Sequence, residues 1–258
     1  MASVWSMVEE EVNTPWQFGS GRPLYRCILV RLLDGYVVMN IYHHAAADGT
    51  SGMLVMGGIV EQYKLLEKDK EVVRKQHQPR EAMEDLVDVK DEDTRKLVEE
   101  MVKGKIKRAT EYKPYVPFDM DEFKANNESE LPINKTLFRD GSQENYSAIR
   151  VRCREEGVTV GSLVLAASYM AMATLHARAT CTDPEEYGGM KDEYIDIPVN
   201  VRRRLDPPIG DNYCGFYITE VTTRCDVDKD TTVWALAKVV GKQLNDMIAQ
   251  DQHRIFAR

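Results

Sequence analysis

Two β-prone runs, "PLYRCILVRL" at 23–32 and "YVVMNIY" at 36–42, are separated only by "LDG". Asp-Gly between such runs is a strong hairpin signal, so a local antiparallel ribbon is fixed early in the chain. The second run leads directly into "HHAAADG" at 43–49. Whatever fold is adopted must therefore place two histidines, three alanines and an Asp-Gly pair at the end of a strand.

A helix is expected next. In "DGTS", Asp48, Thr50 and Ser51 can each act as N-cap. Met53, Met56, Ile59 or Val60, Tyr63 and Leu66 then recur at helical spacing and form one apolar face. Gly52, Gly57 and Gly58 weaken helix propensity, and close packing against the sheet is the expected reason for them. From about Lys64 to Arg108 the chain is highly charged, which reads as a solvated helical excursion, and 112–135 reads as a long crossover.

A second set of elements follows: a helix near 142–156, a turn "GVTVGS", a core helix at 162–178 and a strand "YIDIPVNV" at 194–201. A loop "RRRLDPPIGDN", a strand "CGFYITEV" at 214–221 and a helix from about Thr232 to Ile248 complete the order. Mixed strands and helices with a long crossover imply an α/β sandwich of two lobes, 1–135 and 136–258.

Charge narrows the partners. Net charge is −8 with pI near 5.3, which argues against a nucleic-acid footprint and against an anionic membrane surface. The apolar run 163–175 is shorter than the ~20 residues that span a bilayer, so it reads as a core helix. Cysteines at 27, 153, 181, 214 and 225 are odd in number and contain no C-x-x-C pair. That pattern, with an acidic N-terminus unlike a signal or transit peptide, fits reduced thiols and a cytoplasmic location.

Adjacent residues on an extended strand face opposite sides, so His43 and His44 are not expected to share one metal. A chelate of His44 with Asp48 remains open, as does a plain strand end followed by an ordinary turn. Imidazole accepts protons near neutral pH, and the three alanines leave space for backbone and substrate near His44, which favours a catalytic base.

"HHAAADG" resembles the HHxxxDG motif of the chloramphenicol-acetyltransferase-like acyltransferases, which include condensation domains, alcohol acetyltransferases and phthiocerol-type diacyltransferases. The stretches "EEEVNTPWQFGSGRPLYRCILV", "GVTVGSLVLAASYMAMA" and "PVNVRRRLDPPIGDNYCGFY" are similar, in the same order, to further segments of that superfamily. The resemblance implies a two-lobed CoA-dependent-acyltransferase-like α/β sandwich, incomplete in both lobes. It also implies His44 as general base toward a hydroxyl or amine acceptor, with no enzyme nucleophile.

Within the implied site, Asp48 braces the loop through an arginine, for which Arg202 is the match, although Arg202–Arg204 taken alone read as a solvated basic patch. Gly49 offers its N–H to the developing oxyanion, His43 is structural, and Asn212 and Gly215 are weaker substrate-binding candidates. Asp211 stands where the family element G-N-x-x-G has its first glycine. The donor implied is an acyl thioester of coenzyme A or of a carrier protein's phosphopantetheine arm, with no permanently bound cofactor. An acyl carrier protein is then a possible partner.

Superfamily members are longer. The first strand and helix of the N-lobe and the tunnel-closing region of the second lobe are expected to be missing, which would expose sheet edges and apolar faces and lower solubility. A non-catalytic ligand- or protein-binding remnant is the alternative to an acyltransferase.

Overall fold

A computed structural model describes residues 2–72, 80, 81, 83–86, 96, 99, 100, 102–104, 106, 107, 134–180, 189–210 and 212–249. The chain divides into two compact units. The first comprises Met1–Asp88, Leu131–Phe138 and Asn200–Ile218; the second comprises Val89–Glu130, Arg139–Val199 and Thr219–Arg258. The crossover expected at 112–135 lies outside the described residues up to 133, and residues 96, 99, 100, 102–104, 106 and 107 are helical.

The first unit opens with α1 (Ala2–Asn13), for which the sequence reading had no element. Glu9, Glu10 and Glu11 crowd its C-terminal turn, where the helix dipole disfavours negative charge. Tertiary contacts offset this. Arg26 meets Glu11 at 3.2 Å, the Thr136 N–H donates to Glu9 at 3.2 Å, and Trp5 stacks on Phe138 at 3.8 Å. The Asn13 side chain accepts from the Asn134 N–H at 2.7 Å.

β1 (Tyr25–Arg31) and β2 (Tyr36–Tyr42) form the expected hairpin, paired from Tyr25 with Tyr42 to Arg31 with Tyr36. Its turn is displaced by one residue from the Asp-Gly centre, because the Leu32 N–H donates to the Gly35 carbonyl at 2.8 Å. Leu33 and Asp34 thus occupy the tip.

The second helix, α2 (Gly49–Leu66), is capped by Asp48. Along the helix Ser51 is buried and Val55, Met56, Ile59, Gln62 and Leu65 are half-buried, while Met53, Val60, Tyr63 and Leu66 are exposed. The apolar face expected from spacing is therefore inward only in part: Met56 and Ile59 are half-buried, with the Asn40 side-chain amide 3.8 Å from Met56 Sδ. Ser51, pinned inside at the first turn, sets the helical phase, and every later position follows at 3.6 residues per turn. Of the three glycines, Gly52 has the close contact: a Cβ there would lie 2.8 Å from the Tyr42 hydroxyl, whereas Gly57 and Gly58 face open space. The short helix α3 (Met83–Leu86) also belongs to this unit; the Asp206 N–H donates to its Leu86 carbonyl at 3.2 Å.

The second unit contains α4 (Gln143–Glu156), α5 (Val160–Thr180), β3 (Met190–Asn200) and β4 (Ile218–Val227) apart from Asn200 and Ile218, which fall in the first unit, and α6 (Val233–Ala249). The helices match the sequence reading closely because each begins at a side-chain cap: Ser142, Thr159 and Thr232 each accept from an amide three residues on. Strand ends differ. β3 starts at Met190 instead of 194, and β4 starts at Ile218 instead of 214, because Gly215 and Tyr217 give their amides to side chains of the first unit's motif loop. β3 and β4 are hydrogen-bonded neighbours in one sheet.

By length and composition Val160–Arg178 would pass as a membrane span, with mean hydropathy 1.4. In the fold, Ser162, Ala166, Tyr169 and Ala173 make a buried stripe along α5. Ala166, Tyr169 and Ala173 join Met190, Cys225, Val227, Leu236, Ala237 and Val240 in one core. Burying Leu236 and Val240 is worth about 1.5–3 kcal/mol each, more than the roughly 1 kcal/mol of one hydrogen bond, so packing holds α5 to α6. The Tyr169 hydroxyl instead fixes position, donating to the Thr223 carbonyl at 2.7 Å and meeting Thr223 Oγ1 at 2.9 Å. Cys27, Cys153, Cys214 and Cys225 are free thiols; Cys181 lies outside the described residues.

Burial pushes the Tyr169 phenol up to about 12, from an ordinary value near 10. Stability linked to this group is therefore intact below pH ~10 and declines between pH ~10 and ~12, as the unfolded chain ionises first. Tyr169→Phe is expected to cost about 1–2 kcal/mol at neutral pH and to flatten that alkaline decline, as measured by denaturant titration at several pH values. An unchanged alkaline slope would remove Tyr169 as its source.

Candidate active site

The motif loop follows from how β2 ends. The His43 N–H donates to the Leu24 carbonyl at 3.1 Å, continuing the hairpin by one bond, and the chain then turns as the Ala46 N–H donates to the His43 carbonyl at 2.9 Å. The histidines thus lie in a turn beyond the strand, which replaces strand alternation as the reason they separate. His43 is half-buried, edge-on to Phe18 at 5.1 Å and Trp16 at 6.1 Å, and its Nδ1 accepts the Ala45 N–H at 3.1 Å. His44 is exposed, with its ring edge-on to Phe216 at 5.6 Å.

Asp48 is fully buried. Its Oδ1 accepts from the Ser51 N–H at 2.9 Å, from Ser51 Oγ at 2.9 Å and from Arg202 Nη2 at 3.0 Å. Its Oδ2 accepts from Arg202 Nη1 at 2.7 Å and from the Tyr217 N–H at 3.0 Å. The pairing is bidentate, the geometry in which guanidinium and carboxylate interact most strongly. Burial alone pushes the Asp48 carboxyl up; Arg202, the Ser51 and Tyr217 amides and the Ser51 hydroxyl outweigh it and hold the carboxyl below the usual range. Asp48 is thus an anion at neutral pH in a closed cage, which suits bracing and leaves it no face for a substrate or metal. The His44–Asp48 chelate is removed on that ground.

Arg202 is 1% exposed, whereas Arg203 and Arg204 are exposed, so the basic run divides into one buried cation and two solvated ones. Its guanidinium lies 4.8 Å from the Tyr217 ring centroid and also donates to Ser51 Oγ at 2.9 Å and the Gly215 carbonyl at 3.2 Å. Ser51 is the least obvious member. Its oxygen accepts from Arg202 and from the Gly215 N–H at 2.9 Å, while its single proton goes to Asp48 or to the Gly215 carbonyl at 2.8 Å. The sequence flagged Ser51 only as a cap candidate.

Gly215 was a candidate substrate contact; in the structure its N–H and carbonyl are both taken by Ser51, Asp48 and Arg202. A Cβ there would lie 2.6 Å from the Tyr217 ring, so only glycine allows this approach. Asn212 is exposed, in a turn closed by the Tyr213 N–H and the Gly210 carbonyl at 3.3 Å. Among the described residues it shares no hydrogen bond with His44, Asp48 or Arg202. Gly49, the first residue of α2, is exposed, and its N–H has no partner among the described residues.

Burial pushes the Cys214 thiol up, against the pull of Arg202, which keeps this thiol beside the motif protonated at neutral pH. Among the described residues there is no group of three or more His, Cys, Asp or Glu able to hold a metal ion.

Residues 142–254 match the family model of the phthiocerol/phthiodiolone dimycocerosyl transferase C-terminus. The chain superposes on the first condensation domain of the calcium-dependent antibiotic synthetase, in complex with substrate analogue 3a, with TM-score 0.66. Identity is 18%, over 98% of this chain and 52% of that one. The chain has the chloramphenicol-acetyltransferase-like α/β fold. The same fold is seen in polyketide synthase associated protein 5 from Mycobacterium tuberculosis, at TM-score 0.56 and 16% identity over 94% of this chain and 56% of that one. The epimerization domain from the third module of tyrocidine synthetase B aligns at TM-score 0.59 and 13% identity over 99% and 54%. This chain therefore spans about half the length of the solved structures that share its fold. No curated protein sequence matches it.

Removing Asp48 strands a buried guanidinium. Asp48→Ala is expected to cost about 3–5 kcal/mol in chemical denaturation. Because the folded carboxyl is depressed, its contribution is present above the ordinary carboxylate range near pH ~4 and is lost as pH falls through the folded value. Asp48→Asn should lose that acid-dependent segment, and an acid profile identical to wild type would contradict it.

Proposed function

We propose that the protein catalyses acyl transfer from a thioester, acyl-CoA or an acyl group on a carrier protein's phosphopantetheine arm, to a hydroxyl or amine acceptor. His44 is the general base. The observation that carries this reading is the contrast between the two buried charges and the one exposed imidazole: Asp48 and Arg202 are sealed against each other, while His44 faces solvent on the loop they brace. The shared fold and the match to a dimycocerosyl transferase C-terminus support it.

In the proposed step His44 takes the acceptor proton as oxygen or nitrogen attacks the thioester carbonyl. The C–S bond breaks as the tetrahedral intermediate collapses, and the thiolate leaves with the proton returned from His44. No covalent enzyme intermediate is required, which agrees with the un-ionised state of Cys214. Gly49, at the positive end of α2, offers the N–H for the oxyanion in this reading. Coenzyme A or a carrier arm is a co-substrate, and the location is taken as cytoplasmic.

General-base assistance is worth about 10²–10⁴-fold, or roughly 3–5 kcal/mol of barrier. Thiol release from a series of acyl-CoA and acyl-pantetheine thioesters, with an alcohol or amine acceptor present, is expected to fall by that factor in His44→Ala. Equal rates in the variant and wild type would exclude His44 as the base. Thioester binding with no thiol release from wild type would leave a ligand-binding role.

A further inference from the structure

We propose that Phe216 is a positioning residue that sets the orientation of the His44 imidazole, a role that rests on the acyl-transfer reading for its consequence but not for its geometry. Phe216 stands between two pinned residues. The Gly215 N–H is held by Ser51 Oγ at 2.9 Å and the Tyr217 N–H by Asp48 Oδ2 at 3.0 Å. The Gly215 carbonyl is bound as well, by Arg202 Nη2 at 3.2 Å. With both flanks anchored to a buried ion pair, the backbone at Phe216 has little freedom, and its side chain is held beside the motif loop.

There it meets the His44 ring edge-on, centroids 5.6 Å apart and planes at 67°. This is a favoured aromatic arrangement. Such a contact favours the rotamer that makes it, on a side chain that is otherwise open to solvent. Phe216 is itself 40% exposed, so its ring is not required to fill the core. The fixed charge pair thereby reaches the base through one aromatic contact: Asp48 and Arg202 hold Gly215 and Tyr217, these hold Phe216, and Phe216 holds His44.

Three variants test this. Phe216→Leu and Phe216→Met keep apolar bulk without a ring, and Phe216→Tyr keeps the ring. NMR of the His44 ring protons reads the contact directly, because an edge-on aromatic neighbour shifts them, and it needs no substrate. Both ring-less variants should move those resonances while Phe216→Tyr leaves them near wild type. In the thiol-release assay, kcat should fall about tenfold in Phe216→Leu with KM within about twofold, and Phe216→Tyr should restore it. Unmoved His44 resonances in Phe216→Leu overturn the proposal, as does a rise in KM at constant kcat, which would mark Phe216 as a substrate contact. If wild type releases no thiol, the acyl-transfer reading fails while the resonance shifts, read together with the His44 χ1 couplings, still decide whether Phe216 orients His44. Those couplings should take single-rotamer values in wild type and Phe216→Tyr and averaged values in Phe216→Leu.

Discussion

A guanidinium and a carboxylate withdrawn together from water are tolerable only when nearly every lone pair and proton finds a partner. Arg202 and Asp48 meet that condition through Ser51, Gly215 and Tyr217. The two charges lie 154 residues apart in sequence, so their pairing closes a very long stretch of chain onto the motif loop. Arginine is demanded here over lysine, because its planar fork spans both carboxylate oxygens while its face lies on the Tyr217 ring. From this one pair follow the cap of α2, the burial of Ser51 and the path of Gly215–Tyr217.

The same arrangement divides labour between neighbouring histidines. His43 is enclosed by Trp16 and Phe18, and its Nδ1 is occupied by the Ala45 amide, so it shapes the turn. His44, one residue on, remains exposed. The alanines that follow make the turn compact without covering that ring. The buried ion pair braces the loop that carries this open imidazole.

Much of this was legible in the residues. The hairpin was readable because two β-prone runs abut across a short polar turn, and the later helices because Ser142, Thr159 and Thr232 stand at their first turns. The bond between Asp48 and Arg202 was reached through resemblance, since nothing in "RRR" distinguishes a buried arginine from two solvated ones. Other features needed three dimensions. α1 carries three glutamates at its unfavourable end and is held by Arg26, Thr136 and Phe138, which are remote in sequence. The α2 face was legible only in part: Met56 and Ile59 are half-buried as spacing suggested, whereas Met53, Val60, Tyr63 and Leu66 are exposed and the buried position is Ser51, a small polar residue. β4 begins late because Gly215 and Tyr217 spend their amides on side chains, a use of backbone that strand propensity does not register.

Amide hydrogen exchange tests the buried pair most directly. The Ser51 and Tyr217 amides both donate to the Asp48 carboxylate from segments 166 residues apart, and with one ion pair holding both they should be strongly protected and open together at a common rate. Rapid exchange at Tyr217 alongside a protected Ser51 would show that the Asn200–Ile218 segment is not tied to the motif loop, and would leave His44 without its support.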